Sequence, residues 1–355
     1  MQTALYHRHC ALDAKMVSFA DWEMPIQYKG VLTEHQAVRT AVGVFDVSHM
    51  GRISVRGVEA ESLLDYLSTN QITHKESGSA TYTVWCHATG GCVDDVIIYR
   101  ESATDFFVIV NASNREKDLA HLLKYAQGRQ VEIQDHYQED GILALQGPHA
   151  YPLLVSLYPD VAHLKPMHFL KHDHLYISRT GYTGAGGYEF YGPQPHILAL
   201  WDLLLEKGPP YGLEPAGLGA RDTLRLEMGF ALYGHELSDT IYPNESVSAW
   251  TIHWDKPDFL GKSALERVQS SPVRRHSYAI RLLDKGIARQ DYPVYSEGRL
   301  IGKVTSGSFS PGLNCGIALI LVDRSLKIGD SVAIEIRQTQ CQAEVVQLPF
   351  VRKQK

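Results

Sequence analysis

Apolar and polar positions change period several times along the chain, and each change marks an element. Helical spacing over 31–42 is followed by Gly43, placed to end the helix, and the chain then reads as extended through Val44-Phe45-Asp46-Val47-Ser48-His49-Met50-Gly51. Helical spacing returns over 58–67. The clearest strand signal is Thr81-Tyr82-Thr83-Val84-Trp85-Cys86-His87, a turn at Ala88-Thr89-Gly90-Gly91, and then Cys92-Val93-Asp94-Asp95-Val96-Ile97-Ile98-Tyr99-Arg100. β-Branched and aromatic residues on both sides of a Gly-Gly break predict a hairpin. Positions 106–110 continue the sheet, and 114–125 read as a helix with its charges on one face. From 141 to about 254, strand patterns at 142–145, 175–179 and 188–191 are mixed with helical patterns at 197–206 and 219–230. That order predicts an α+β fold rather than a doubly wound sheet. From about 275 onward short strands, among them 299–304 and 331–337, are separated by Gly, Pro and Asp turns, so a small all-β domain is expected, joined near Ser270-Ser271-Pro272.

Composition narrows the functions open to such a chain. With 355 residues, 44% hydrophobic and 21% charged, it is an ordinary globular protein of two to three domains rather than a disordered one. Its 34 basic against 40 acidic residues give a net charge of −6, so no basic surplus exists for nucleic acid or an anionic membrane. No apolar run approaches the roughly 18 residues that span a bilayer. The N-terminus lacks the apolar core of a secretory signal, and Asp13, Asp21 and Glu23 are foreign to a transit peptide, which gives a cytoplasmic expectation. Five scattered cysteines without a CxxC pair suit reduced thiols and offer no zinc or iron-sulfur spacing.

Several residues stand out chemically, each with a bland reading beside the sharp one. Asp94-Asp95 leaves a turn into a strand apolar on both faces; the pair either faces solvent near the turn, or is buried and therefore hydrogen-bonded or chemically employed. Arg221 and Arg225 lie four apart on one helical face, which suits an acidic ligand group or buried carboxylate between them, or surface pairing with Asp222 and Glu227. Glu189, flanked by aromatics in Gly187-Tyr188-Glu189-Phe190-Tyr191, is either at an edge or aimed into a site. His163, His168, His172 and His174 are interspersed with Lys165, Lys171 and Asp173 and read as a solvated loop, so no metal site is expected. The glycines of 181–187 lack a GxGxxG register and precede a strand, which removes a dinucleotide reading. Gly261-Lys262-Ser263 lacks the first glycine and the leading strand of a P-loop.

In order along the chain, Trp22-Glu23-Met24-Pro25, Val42-Gly43-Val44-Phe45-Asp46-Val47-Ser48-His49-Met50-Gly51, Gly90-Gly91-Cys92-Val93-Asp94-Asp95, Val110-Asn111-Ala112, Leu145-Gln146-Gly147-Pro148, Arg179-Thr180-Gly181-Tyr182-Thr183-Gly184, Gly217-Leu218-Gly219-Ala220-Arg221-Asp222 and Leu232-Tyr233-Gly234 resemble the T-proteins of the glycine cleavage system, the aminomethyltransferases. Val304-Thr305-Ser306-Gly307 and Pro349-Phe350-Val351-Arg352 extend the resemblance to the C-terminal end. It implies a three-domain cloverleaf around a tetrahydrofolate site. Residues 1–270 would form the folate-binding catalytic region, as two intertwined α+β domains with inner boundaries near 50 and 140, and 275–355 a C-terminal β-barrel. The implied reaction moves the methylene of an aminomethyl group, carried on the lipoyl arm of an H-protein, to tetrahydrofolate. Ammonia is released, and the system is completed by glycine decarboxylase and dihydrolipoyl dehydrogenase.

Residue by residue, the resemblance puts Asp95 at the catalytic position, where a carboxylate can orient folate and offset developing positive charge. Glu189 matches the acid that accepts two hydrogen bonds from a pterin edge. Arg221 matches a substrate-binding arginine suited to a pterin carbonyl or to the anionic folate tail. Met50, Tyr82, Tyr99, Asn111 and Tyr182 fall at pocket-lining positions, and Arg289 and Arg352 are weaker candidates for tail contacts. The chain departs from the pattern at Ala185 and Gly186, where the family has acids, and at Asp21 and Val247, where it has glycines. A non-enzymatic folate-binding relative that supports iron-sulfur proteins is the alternative, although its cysteine motif is missing here.

Overall fold

The computed structural model describes residues 1–271 and 274–352. Pro272, part of the expected joint, and residues 353–355 of the expected barrel lie outside them. The predicted hairpin forms from Ser79–Cys86 and Cys92–Arg100, in antiparallel register. It belongs to a five-stranded sheet completed by Asp105–Val110, Gly51–Arg56 and Glu132–Asp135. Its turn is wedged against another segment: a Cβ on Gly91 would stand 1.9 Å from the Asp239 carbonyl oxygen, so only glycine lets the two backbones meet.

The second sheet has six strands in the order Phe169–His172, Leu175–Ser178, Gly187–Pro193, Asp140–Gln146, Val42–Asp46 and Leu213–Pro215, with only the last pair parallel. Val42–Asp46 and Asp140–Gln146 are direct neighbours, so the whole first sheet is an insertion between two adjacent strands of the second. The helix expected over 31–42 stops at Thr40, and Val42 and Gly43 belong to the strand. Gly43 is therefore no helix stop. A Cβ there would stand 2.4 Å from the Val38 side chain, and its absence lets helix and strand pack together.

Side-chain alternation explains why strands of both sheets read as apolar throughout. On the first sheet Val96, Ile98 and Val108 pack against Leu63, Leu64 and Leu122 of the helices Ala60–Leu67 and Arg115–Ala126. The opposite face, with Ile97, Tyr99, Phe107 and Ile109, meets Phe45, Ile142, Ala144 and Tyr191 of the second sheet. The second sheet's far face is covered by Ala150–Leu157 and Gln194–Lys207. Ala220 and Leu224 of the helix Leu218–Glu227 join the core between the sheets.

The C-terminal part is a closed six-stranded antiparallel barrel of His276–Leu282, Cys315–Val322, Arg299–Ser310, Pro293–Ser296, Ser331–Ile336 and Thr339–Val346. The strand expected over 299–304 continues to Ser310, and Thr339–Val346 has no counterpart in the sequence reading. Neither do the N-terminal hairpin of Lys15–Phe19 and Trp22–Gln27, nor the helices Tyr6–Ala11 and Lys262–Gln269. Buried charge joins barrel to sheets. Arg225 donates to Glu236 at 3.1 Å and Ser306 at 2.9 Å, Thr305 donates to Glu236, and Ser310 and the Gly312 N–H donate to Glu227. Among the described residues no helix is long and apolar enough to cross a membrane.

Candidate active site

The strand Cys92–Arg100 has no solvent face, and that settles the two readings of its acids. Asp94 turns toward the helix side and is fully buried, while Asp95 turns toward the region between the sheets and is half-buried. The solvent-facing alternative is overturned. Asp94 accepts from the Asn111 backbone N–H and side-chain amide, each at 2.9 Å, and from Asn114 Nδ2 at 2.6 Å. Asn111 Nδ2 reaches across to Asp95 Oδ1 at 3.0 Å. Tyr82 pairs with Ile97 in the adjacent strand, which sets its hydroxyl diagonal to Asp95; it donates to Oδ2 at 2.9 Å. Burial and the Asp94 charge push the Asp95 carboxyl up to about 7 in spite of these donors, so it exchanges a proton near neutrality.

Glu189 lies on an interior strand of the second sheet and is 6% exposed, so its edge reading falls as well. Thr180 donates to its Oε2 at 2.6 Å and Tyr191 donates to the same oxygen at 2.9 Å. Tyr191 shares a 2.6 Å hydrogen bond with Tyr99. Loading both donors onto Oε2 leaves Oε1 for a ligand.

Arg221 is held differently from any other arginine near it. Its guanidinium lies 4.7 Å from the centre of the Tyr182 ring, its Nη2 is 3.9 Å from Met50 Sδ, and its Nη1 is buried with no hydrogen-bond partner among the described residues. Burial lowers its affinity for the proton while the Glu189 charge opposes that shift. Tyr182 in turn stacks on Phe230 and donates to the Ala231 carbonyl. The pairing of Arg221 and Arg225 with Asp222 and Glu227 is half right: Asp222 binds Arg225 at 2.8 Å, but Glu227 is taken by Arg39 and His35, and Arg221 receives neither.

The eight residues Met50, Tyr82, Asp95, Tyr99, Asn111, Tyr182, Glu189 and Arg221 come from several elements: Tyr82, Asp95, Tyr99 and Glu189 project from strands of the two sheets, Arg221 from the helix Leu218–Glu227, and Met50, Asn111 and Tyr182 from segments outside the strands. Arg289 does not join them; it is exposed on the barrel and donates to the Gly307 carbonyl. Arg352 lines a cavity of about 280 Å³ with His35, Arg39, Gly184, Ala185 and Glu227, to which none of the eight contributes. The departures at Ala185 and Gly186 are therefore beside that cavity, Ala185 lining it.

Four contributors were missed in the sequence. Tyr191 lies two residues after Glu189 in a strand, hence on the same face, and that alternation was a usable signal. Thr180, and Trp250, whose exposed ring stacks at 5.7 Å on Tyr82, carried none. His49, buried near Arg221 and held down to about 4 by burial, with Asp46 and Arg221 acting in opposite directions, is neutral at physiological pH, and its place in Asp46-Val47-Ser48-His49 gave no sign of this.

The orphaned Nη1 of Arg221 and the one free oxygen of Glu189 fit a polar ring system with donors on one edge and an acceptor or anion elsewhere. Two interleaved sheets followed by a closed antiparallel barrel define the fold class. Residues 5–256 match the GCVT N-terminal domain and residues 275–352 the glycine cleavage T-protein C-terminal barrel domain. The aminomethyltransferase of Chlorobaculum tepidum is 43% identical over 99% of this chain and 98% of its own. That of Bacillus subtilis strain 168 is 39% identical over 99% of each. The crystal structure of glycine cleavage system aminomethyltransferase T from Bartonella henselae superposes with a TM-score of 0.94 at 32% identity, over 99% of this chain and 98% of that one. The chain belongs to the glycine cleavage T-protein family.

Proposed function

We propose that the chain is a tetrahydrofolate-dependent aminomethyltransferase of the glycine cleavage system. It moves the methylene of the aminomethyl group on a lipoylated H-protein to tetrahydrofolate, with release of ammonia. Full-length similarity to aminomethyltransferases supports this over the non-enzymatic folate-binding alternative. The observation that carries it is Arg221, a half-buried cation with no carboxylate partner among the described residues and a buried Nη1 without a hydrogen bond, facing the charge of Glu189, one oxygen of which is free. In this reading residues 1–270 are the catalytic region and 275–355 the barrel that closes it, working in the cytoplasm beside glycine decarboxylase and dihydrolipoyl dehydrogenase.

When bound, tetrahydrofolate supplies the N5 and N10 nitrogens that take up the one-carbon unit. Glu189 would accept from the pterin edge donors through Oε1, held in place by Thr180 and Tyr191 on its other oxygen. Arg221 would take an acceptor or anionic group that water cannot reach. Tyr182 and Met50 pack the guanidinium so that it needs no reorganisation on binding. Asp95, poised near neutrality, offsets positive charge developing at the reacting nitrogens and holds or releases a proton there. Tyr82 and Asn111 fix the direction in which its oxygens point.

Single-turnover release of ammonia from aminomethyl-lipoyl H-protein, with and without tetrahydrofolate, tests the reading. Folate-dependent release with formation of 5,10-methylenetetrahydrofolate is expected. Folate binding without ammonia release from a competent H-protein would remove the enzyme claim.

A further inference from the structure

Behind Asp95, on the far side of its strand, lies a carboxyl that the chemistry above does not use. Asp118 projects from the first turn of the helix Arg115–Ala126, which packs on Cys92–Arg100. It is fully buried, and neither of its oxygens receives a hydrogen bond from a donor among the described residues. Where this helix packs on Cys92–Arg100, Asp94 is the charge that Asp118 faces most strongly. Two buried anions cannot share such a space without a cation. The cation closest in sequence, Lys117, is engaged elsewhere: its Nζ is hydrogen-bonded to the Tyr233 hydroxyl at 2.6 Å. The positive end of the helix dipole favours one negative charge here, not two.

Asp94 accepts three hydrogen bonds from Asn111 and Asn114, whereas Asp118 accepts none, so the negative charge belongs on Asp94 and the proton on Asp118. We infer that Asp118 is a positioning residue for aminomethyl transfer: as a neutral acid it donates to Asp94, which keeps Asn111 aimed at Asp95. Burial and then the Asp94 charge hold the Asp118 carboxyl well above the ordinary carboxylate range, in agreement with that proton placement. The charged groups facing it are Asp94 and Asp95 from the strand and Lys117 from its own helix; His121, one turn on, is pushed down to about 4 by burial and is neutral. Loss of the Asp118 proton at alkaline pH sets a second anion against Asp94 and loosens the Asn111 clamp.

The role rests on the proposed transferase activity, but its proton can be read without it. In the full-length protein labelled with 13C-aspartate, Asp118 is expected to keep the chemical shift of a protonated acid through neutral pH. Titration of Asp118 in the ordinary carboxylate range would overturn the inference whether or not the protein transfers a methylene. In turnover, Asp118→Asn, neutral and still a donor, is expected to keep most of kcat and to lose the alkaline fall that Asp118 imposes. Asp118→Ala lowers kcat by about ten- to a hundredfold with KM for tetrahydrofolate little changed, the size expected when a reacting group is displaced. An Asn variant as impaired as the Ala variant, or one with an unaltered pH profile, would overturn the role. Should the Ala variant fail to fold, the 13C titration and the Asn profile still decide the matter.

Discussion

Arg221 and Arg225 stand one turn apart on the same helix, and their surroundings are opposite. Arg225 is saturated: Asp222, Glu236, Ser306 and the Phe230 carbonyl occupy its guanidinium, and although burial alone would lower its pKa, Tyr182, Asp222 and Glu236 raise it. Arg221 has a ring face, a thioether and one orphaned nitrogen, and its pKa is lowered. A satisfied buried charge locks two pieces of protein together, whereas an unsatisfied one is stored for something that arrives later. The i, i+4 spacing brings the lobe junction and the cleft within one helical turn, so the junction also fixes where Arg221 points.

The sharpest way to break this comparison is Arg225→Leu. It strands Glu236 as an unpaired buried anion and is expected to cost about 3–5 kcal/mol in urea denaturation; a loss below about 1 kcal/mol would deny the junction its role. On the cleft side, Asp95→Asn should fold normally while lowering kcat about a hundredfold or more, as removal of a group facing developing charge does; normal turnover would take Asp95 out of the chemistry. Arg221→Met should weaken tetrahydrofolate binding by about 1.5–3 kcal/mol in titration calorimetry, with stability equal to or above that of the parent. If the variant were instead as unstable as Arg225→Leu, the two arginines would not differ in kind. Glu189→Gln turns an NH2 toward pterin donors and should cost about 1–3 kcal/mol of the same affinity; unchanged binding would remove Glu189 from the pocket.

The smallest effect is a pH dependence of opposite sign at the two regions. Burial alone would raise the Glu227 carboxyl, but hydrogen bonds from His35 and Ser310, the His35 charge and the Gly312 N–H bring it down to about 2. Its contribution to stability is therefore present above the ordinary carboxylate range and lost as pH falls toward 2. Asp95, raised from 3.8 to about 7, contributes stability that is present at acid pH and lost as pH rises through that interval. Asp95→Asn should accordingly raise Tm at pH 8 by about 2–4 °C and leave it unchanged at pH 4. An equal shift at both pH values would mean that Asp95 does not titrate in this way.

The alternation of Thr81 to Arg100 announced its hairpin, because period-2 β-branched residues flanking Gly-Gly have few other solutions. The same strand could not announce where Asp95 points, since helices cover one face and a second sheet the other, erasing the polar alternation that assigns a side. Gly43 misled because a glycine after a helical run signals a stop, while its physical reason here is the closeness of Val38. Resemblance located Glu189 and Arg221. That Arg221 lacks a carboxylate while Arg225 has two depends on Glu236 and Ser306, brought in from distant segments. Nothing in the helical pattern over 114–125 set Asp118 apart, because only Asp94, arriving from another strand, gives it a buried partner.

The insertion of one sheet between neighbouring strands of the other sets an order of events during synthesis. Val42–Asp46 leaves the ribosome long before Asp140–Gln146 and Leu213–Pro215, the strands that flank it, have been translated. The sheet spanning Gly51–Arg56 to Glu132–Asp135 has all its strands at hand in the meantime. The nascent chain therefore holds one finished lobe and one unpaired strand until Asp140–Gln146 emerges, and the site, which also needs Arg221 from beyond Pro215, is completed later still.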